Sequence, residues 1–287
     1  MLCFLDFSQI VISSAIDYNS QTNDDIELPL LRHITLNNIL SYKQKFNLSL
    51  DELILCYDGH NYWRKGIFPN YKQNRKKAHE ESKFDWSRFY EHFNQVKTEI
   101  KTELPFRTIE VDGCEADDVI AVLSKINCPH EKEMVIVSSD KDLIQIQNIC
   151  SKVKQWSPRH KKYINSVTNN YNLFEHIVKG DAGDGIPNIL SDDDVFLVKE
   201  KRSKPLRSSL ILEWETHGVN KPDLFCKTPQ MIEKFHRNRT LIDLQQIPDN
   251  VVERIRNSWD NCSRPDVKTF DYLVKHKLRK ILERGGF

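Results

Sequence analysis

Met134-Val-Ile-Val-Ser-Ser-Asp-Lys-Asp142 is a short apolar run, rich in β-branched residues, that ends in two carboxylates. Its brevity and its valine and isoleucine content predict a buried strand, Met134–Val137, rather than a helix. Three other stretches repeat the pattern. Leu2–Leu5 runs into Asp6, Leu53–Tyr57 runs into Asp58, and Thr108–Val111 leads through Asp112-Gly-Cys114 to Glu115-Ala-Asp117-Asp118. Between them the apolar residues recur with helical spacing, near Ser8–Ile16, Leu30–Phe46, Trp86–Leu104 and Ala116–Ile126. Strands alternating with helices predict an α/β fold with a mostly parallel central sheet flanked by helices. An α/β domain over residues 1–180 is expected, followed by a smaller helical domain over 181–287.

In a parallel sheet the carboxyl ends of the strands form the ligand crevice, so acids that follow several strands converge on one edge. A later segment, Lys179-Gly-Asp181-Ala-Gly-Asp184, adds a close pair. The candidates are Asp6, Asp58, Glu115, Asp117, Asp118, Asp140, Asp142, Asp181 and Asp184. Any one acid among 41 reads best as a surface group or a helix cap, and Asp117 and Asp118 also suit a helix N-terminus on their own. Several acids at strand ends read as a site. Like charges 4 Å apart repel by about 4 kcal/mol at an effective dielectric near 20, so such a cluster needs counter-charge. Oxygen ligands without His or Cys suit magnesium or manganese rather than zinc. The surplus of carboxylates suggests two ions of the kind that cleave phosphodiesters.

The composition narrows the alternatives. With 39% hydrophobic and 29% charged residues over 287 positions, and a mean hydropathy of -0.56, the chain reads as globular with no membrane span. Its N-terminus, Met1-Leu-Cys-Phe-Leu-Asp6, lacks the basic start of a secretory signal, so a cytoplasmic location is expected. Seven scattered cysteines without a C-x-x-C pair suggest reduced thiols rather than zinc or disulfides. Asp6-Phe7-Ser8 lacks the second aspartate of a dehalogenase-type phosphatase. No P-loop, dinucleotide-binding glycine motif or nucleophile elbow is present.

The net charge of +1 hides an uneven placement, since the chain outside the nine acids is strongly basic. Tyr62-Trp-Arg64-Lys65 is followed by Tyr71-Lys72-Gln-Asn-Arg75-Lys76-Lys77. A helix over 70–81 would put Lys72, Arg75 and Lys76 on one face, with aromatic residues available to stack on bases. Further bases lie at Lys152, Lys154 and Arg159-His-Lys161-Lys162, at 199–207, and in 275–284, where apolar residues again show helical spacing. A charge run alone is more often a solvated helix face. An anionic pocket in a basic body fits a nucleic-acid enzyme.

The ordered motifs carry a family resemblance. Leu5-Asp-Phe-Ser-Gln-Ile10, Tyr71-Lys-Gln-Asn-Arg75, Glu115-Ala-Asp-Asp118, Ser138-Ser-Asp-Lys-Asp142, Val153-Lys-Gln-Trp-Ser-Pro158, Lys179-Gly-Asp181 through Asp184, Leu241-Ile-Asp243 and Ile247-Pro-Asp-Asn250 resemble the 5′ nuclease (flap endonuclease) superfamily, nearest to its T-even phage RNase H branch. The resemblance implies a 5′-3′ nuclease using two Mg2+ ions, with Mn2+ able to substitute. Its implied substrates are DNA and RNA·DNA hybrid duplexes and flaps, and its implied role is RNA primer removal during lagging-strand replication. Asp6, Asp58, Asp117 and Asp140, with Glu115 near them, match ligands of a first metal; Asp142, Asp181 and Asp184 match the shell of a second. Lys72 and Arg75 match a pair that grips the scissile phosphate, and Tyr71 the aromatic beside it. Arg64, Lys65, Lys76, Lys77, Lys154, Lys161 and Lys162 are the expected nucleic-acid contacts. A replication clamp and a single-stranded DNA-binding protein are the implied partners of a monomer in the host cytoplasm. Two other readings stand beside it: a PIN-type ribonuclease on single-stranded RNA, and a non-catalytic nucleic-acid-binding scaffold. After Gly185-Ile-Pro187 the sequence departs from the glycine-rich duplex-binding motif of many relatives, and Asp192, Asp193 and Asp194 are expected to repel phosphates there.

Overall fold

Runs such as Leu53-Ile-Leu-Cys-Tyr57 and Met134-Val-Ile-Val137 have no polar face to offer water, so they are stable only as strands covered on both sides. The computed structural model, which describes residues 1–130, 133–285 and 287, shows that arrangement. In chain order the elements are β1 (Leu2–Asp6), α1 (Phe7–Thr22), α2 (Leu28–Lys45), β2 (Leu53–Tyr57), α3 (Arg64–Ile67), α4 (Gln73–Glu80), α5 (Trp86–Glu103), β3 (Arg107–Glu110), α6 (Ala116–Asn127) and β4 (Met134–Val137). There follow α7 (Ile146–Ile149), β5 (Val153–Ser157), β6 (Lys162–Ile164), α8 (Leu173–Lys179), α9 (Ser208–Glu215), α10 (Pro229–Ile242), α11 (Asp249–Asp260), α12 (Thr269–Lys275) and α13 (Arg279–Arg284). Every residue of β1, β2 and β4 is buried.

Contacts divide the chain into two compact units. One holds Met1–His60, Lys83–Ile164 and Asn250–Phe287; the other holds Asn61–Ser82 and Asn165–Asp249. The units interleave in sequence, and the expected boundary after Gly180 falls inside the second.

The first unit contains the whole six-stranded sheet, in the order β3-β2-β1-β4-β5-β6. Strands β1 to β5 are parallel and β6 runs antiparallel to β5. α5 shows why its sequence is helical: Phe89, Phe93, Val96 and Ile100 fall on one buried face, and the Asp85 carboxylate caps the first turn by accepting from the Arg88 amide. That face joins Leu5, Phe7, Leu55, Tyr57 and Phe106 in one apolar core, which also takes Tyr272, Leu273, Leu278 and Ile281 from α12 and its neighbours. Burying each of the larger side chains contributes about 1.5–3 kcal/mol. Within this core Arg32 makes a bidentate pair with Glu99, both bonds 2.7 Å, and the Tyr272 hydroxyl donates to the same carboxylate at 2.8 Å.

The second unit is helical. Phe68, Tyr71, Phe174, Ile177, Phe225 and Phe235 form its core. Thr228 caps α10, which opens with Pro229.

Strands β5 and β6 are additions to the sequence expectation, which reads this region as a basic stretch and a family motif and not as strands. Val153, Gln155 and Ser157 are buried while Lys154 is exposed, a period-two pattern too short and too polar to stand out. The cysteine expectation is also corrected. Cys128 and Cys150 are joined by a disulfide across a separation of 22 residues, because the end of α6 meets the end of α7. Sequence spacing gives no sign of that meeting.

Arg32→Met should lower stability by about 3–5 kcal/mol in urea unfolding, because it leaves Glu99 charged and buried without its partner. The double variant Arg32→Met/Glu99→Leu should regain most of that loss. A double variant no more stable than the single one would contradict this.

Candidate active site

In the first unit, β1 is flanked by β2 on one side and β4 on the other. The winding of the chain therefore reverses beside β1, and the switch point lies between the carboxyl ends of β1 and β4. Asp6 is the last residue of β1, and Asp140 follows β4 by three residues. Asp6 also caps α1, accepting from the Gln9 amide at 3.2 Å. Its second carboxylate oxygen accepts from the Ser138 hydroxyl at 2.8 Å. Asp58, just past β2, accepts from the Ala116 amide at 2.9 Å and so meets the start of α6. Glu115 and Asp118 form a reciprocal capping box there. The capping reading of Asp118 therefore holds: the residue is fully buried and accepts from the Glu115 amide at 2.9 Å. Asp117 is half-buried in the first turn of α6. The Asp140 carboxylate accepts from the Asp142 amide at 2.8 Å.

Burial, with the charges of Asp58 and then Asp140, pushes the Asp6 carboxyl up to about 7, against the opposing pull of the Ser138 hydroxyl. The sequence-predicted acids Asp58 and Asp140 are thus both within electrostatic reach of Asp6. An all-oxygen donor set whose central carboxylate resists ionisation fits a hard divalent cation. Asp6, Asp58 and Asp140 are the residues that would hold it.

In the second unit, the Asp181–Ile186 turn is built around its first acid. The Asp181 carboxylate accepts from the amides of Gly183 (2.7 Å) and Asp184 (3.1 Å) and lies 3.0 Å from His176 Nε2. Gly180 precedes it at φ 68°, where an added Cβ would lie 2.2 Å from the Ile186 carbonyl, so only glycine fits. Asp184 gathers the predicted cations. Tyr71 donates to it at 2.9 Å and Lys72 Nζ lies 3.6 Å away. Arg75 pairs with its other carboxylate oxygen.

The expected helix over 70–81 begins only at Gln73. Lys72 sits before it at φ 58°, in the left-handed region, with its amide donating to the Asp184 carbonyl at 2.8 Å. Lys72 and Arg75 are therefore brought together by Asp184, not by a shared helix face. Asn74, which the sequence did not single out, ties the same segment to the Ala182 carbonyl at 2.6 Å.

One expected nucleic-acid contact is corrected. Arg64 is 3% exposed and donates to the Leu241 carbonyl at 2.9 Å, so it serves the fold. Lys65, Lys76, Lys77, Lys154, Lys161 and Lys162 are exposed. The acids after Pro187 are offset within the unit: Lys201 pairs with Asp192 and Asp194, and Arg237 with Asp193.

Residues 18–176 match the family described as 5′-3′ exonuclease, N-terminal resolvase-like domain, and residues 168–285 match the T4 RNase H C-terminal family. Ribonuclease H of Enterobacteria phage T4 is 33% identical over 287 residues, spanning 98% of this chain and 93% of that protein. The chain belongs to the 5′-3′ exonuclease family. A flap endonuclease Xni from a Shewanella species is 32% identical to this exonuclease family member over 47% of the chain, which spans 51% of that relative. Among solved structures, the phage T5 flap endonuclease in complex with DNA and metal ions superposes with a TM-score of 0.65. It shares 17% identity, and the match covers 90% of this chain and 98% of that one. The zinc-bound T5 5′-exonuclease gives 0.64, also at 17% identity and with the same coverage. These structures share the nuclease fold. No helix among the described residues is long and apolar enough to cross a membrane.

The raised Asp6 carboxyl has a definite sign. Its folded value of about 7 lies above the ordinary 3.8, so its contribution to stability is present below about pH 4 and is lost as pH rises through 7. In chelator, the nuclease should melt at lower temperature as pH rises across that window. Asp6→Asn should flatten the decline, and millimolar Mg2+ should raise the wild-type melting temperature. Parallel pH profiles for wild type and Asp6→Asn would contradict the electrostatic coupling.

Proposed function

We propose that this nuclease is a two-metal 5′-3′ enzyme that hydrolyses phosphodiester bonds in RNA·DNA and DNA duplexes and at 5′ flaps, removing RNA primers during lagging-strand replication. The observation that carries the reading is the acid edge at the switch point of the sheet, where Asp6 is buried at the end of β1 and the charges of Asp58 and Asp140 raise the cost of its ionisation. Its membership of the exonuclease family supports the reaction class, and the phage T4 ribonuclease H relative supports the substrate class.

Asp6, Asp58, Asp140 and Asp117 are assigned as magnesium ligands, with Glu115 held near them by the buried Asp118. Asp181 and Asp184 are assigned to a second ion. When bound, such ions would lower the pKa of a water nucleophile and stabilise the leaving 3′ oxygen. The chain's own residues set the geometry. Ser138 fixes the Asp6 carboxylate, and the Ala116 amide fixes that of Asp58. Lys72 and Arg75, pre-oriented by Asp184, are assigned to the phosphoryl oxygens, where a positioned donor is worth about 10²–10³ in rate. Tyr71 holds Asp184 in place. Lys65, Lys76, Lys77, Lys154, Lys161 and Lys162 are assigned to backbone phosphates, and the helical region after Gly180 to duplex binding. A replication clamp and a single-stranded DNA-binding protein are proposed as recruiting partners of a monomeric enzyme.

Asp140→Asn should abolish magnesium-dependent cleavage of a 5′-labelled flap, a nicked duplex and an RNA·DNA hybrid while leaving folding and DNA affinity near wild type. Lys72→Ala should reduce kcat by about 10²-fold with little change in affinity. Near-normal cutting by Asp140→Asn would misplace the site. A preference for single-stranded RNA over all three substrates would overturn the substrate class.

A further inference from the structure

The turn between β5 and β6 carries four cationic or potentially cationic residues in succession, Arg159, His160, Lys161 and Lys162, all exposed. None of the four has an ion-pair partner among the described residues. Lys161 closes the turn at φ 50°, and Ser157 pairs with Lys162 across the hairpin. A basic turn free of acids is electrostatically suited to a polyanion.

Its attachment is the informative part. The Arg159 amide donates to the Ser139 hydroxyl at 3.0 Å, and the Ser157 hydroxyl donates to the same oxygen at 3.0 Å. The His160 amide donates back to Ser157 at 3.3 Å. From the same strand the fully buried Gln155 donates to the Ser138 carbonyl at 3.0 Å and the Asp140 carbonyl at 2.6 Å. Ser138 in turn donates to Asp6 at 2.8 Å. An unbroken set of short-range bonds therefore joins the basic turn to the backbone that presents Asp140 and to the carboxylate of Asp6.

We propose that the β5–β6 turn is a docking surface for the phosphate backbone of the strand being cut, held at a fixed offset from Asp6 and Asp140 by Ser139, Ser157 and Gln155. The proposal rests on the nuclease reading above and adds a determinant of where the strand is cut. Arg159, Lys161 and Lys162 contact phosphates; Ser139 and Gln155 are positioning residues that set the register between the held phosphates and the acid edge.

The test compares wild type, Arg159→Gln/Lys161→Gln/Lys162→Gln and Ser139→Ala on one 5′-flap DNA duplex, with melting temperatures as a folding control. In the triple variant the affinity should fall at least tenfold at 100 mM salt. Its slope of log K against log salt should flatten by about 2–3, as expected for up to three lost phosphate contacts. Ser139→Ala should keep the wild-type salt slope but lower kcat several-fold and move or broaden the dominant cut position. A triple variant with unchanged affinity and salt slope, beside a wild type that cuts, would overturn the docking surface. Unchanged kcat and product length in Ser139→Ala would overturn the register. A wild type that neither binds nor cuts the flap would remove the proposal together with the nuclease reading.

Discussion

A carboxylate buried at the end of a central strand, with two more carboxylates close by, resists ionisation unless a cation comes to it. Asp6 is in that position, at the carboxyl end of β1 with Asp58 and Asp140 raising its proton affinity. The surrounding hydrogen bonds do not remove the repulsion. Ser138 supplies one hydroxyl to Asp6, and the Ala116 amide supplies one donor to Asp58. These bonds fix orientation, but a neutral donor does not cancel a neighbouring negative charge. The fold therefore holds Asp6 where its charge is unfavourable without a cation, which is the arrangement expected of a binding site rather than of a stabilising network.

Parallel topology makes this possible. Because β1, β2, β3 and β4 all run the same way, residues that follow them in sequence end on the same edge of the sheet, although Asp6, Asp58 and Asp140 are separated from one another by more than fifty positions. The apolar interior of each strand and the aromatic face of α5 anchor that edge. The capping box at the start of α6 does a second job: it stabilises the helix and fixes Glu115, so this pair of acids serves local structure. In the second unit the same economy holds. Asp181 satisfies the amides of its own turn, and Asp184 collects Tyr71, Lys72 and Arg75.

Much of this was legible in the sequence, and the reasons are physical. Leu53–Tyr57 and Met134–Val137 are continuous apolar runs of strand length, so their limits and burial follow from composition alone, and the aspartate after each marks the carboxyl edge once the sheet is parallel. What was not legible depended on contacts across long stretches of chain. β5 and β6 are short and half polar, so their pairing comes from the partner strand. The Cys128–Cys150 disulfide needs two helix ends to meet. Lys72 carries no local signal for its left-handed conformation, which is stabilised by the Asp184 carbonyl. Arg64 reads as a surface base because its buried acceptor, the Leu241 carbonyl, lies 177 residues away.

Anomalous diffraction from crystals of the intact protein soaked in Mn2+ tests most directly whether Asp6, Asp58 and Asp140 together hold divalent metal. Strong manganese peaks are expected within coordinating distance of these three carboxylates, with their loss in crystals of Asp6→Asn. Manganese bound only at other sites on the protein, with these carboxylates left free at saturating metal, would contradict this assignment.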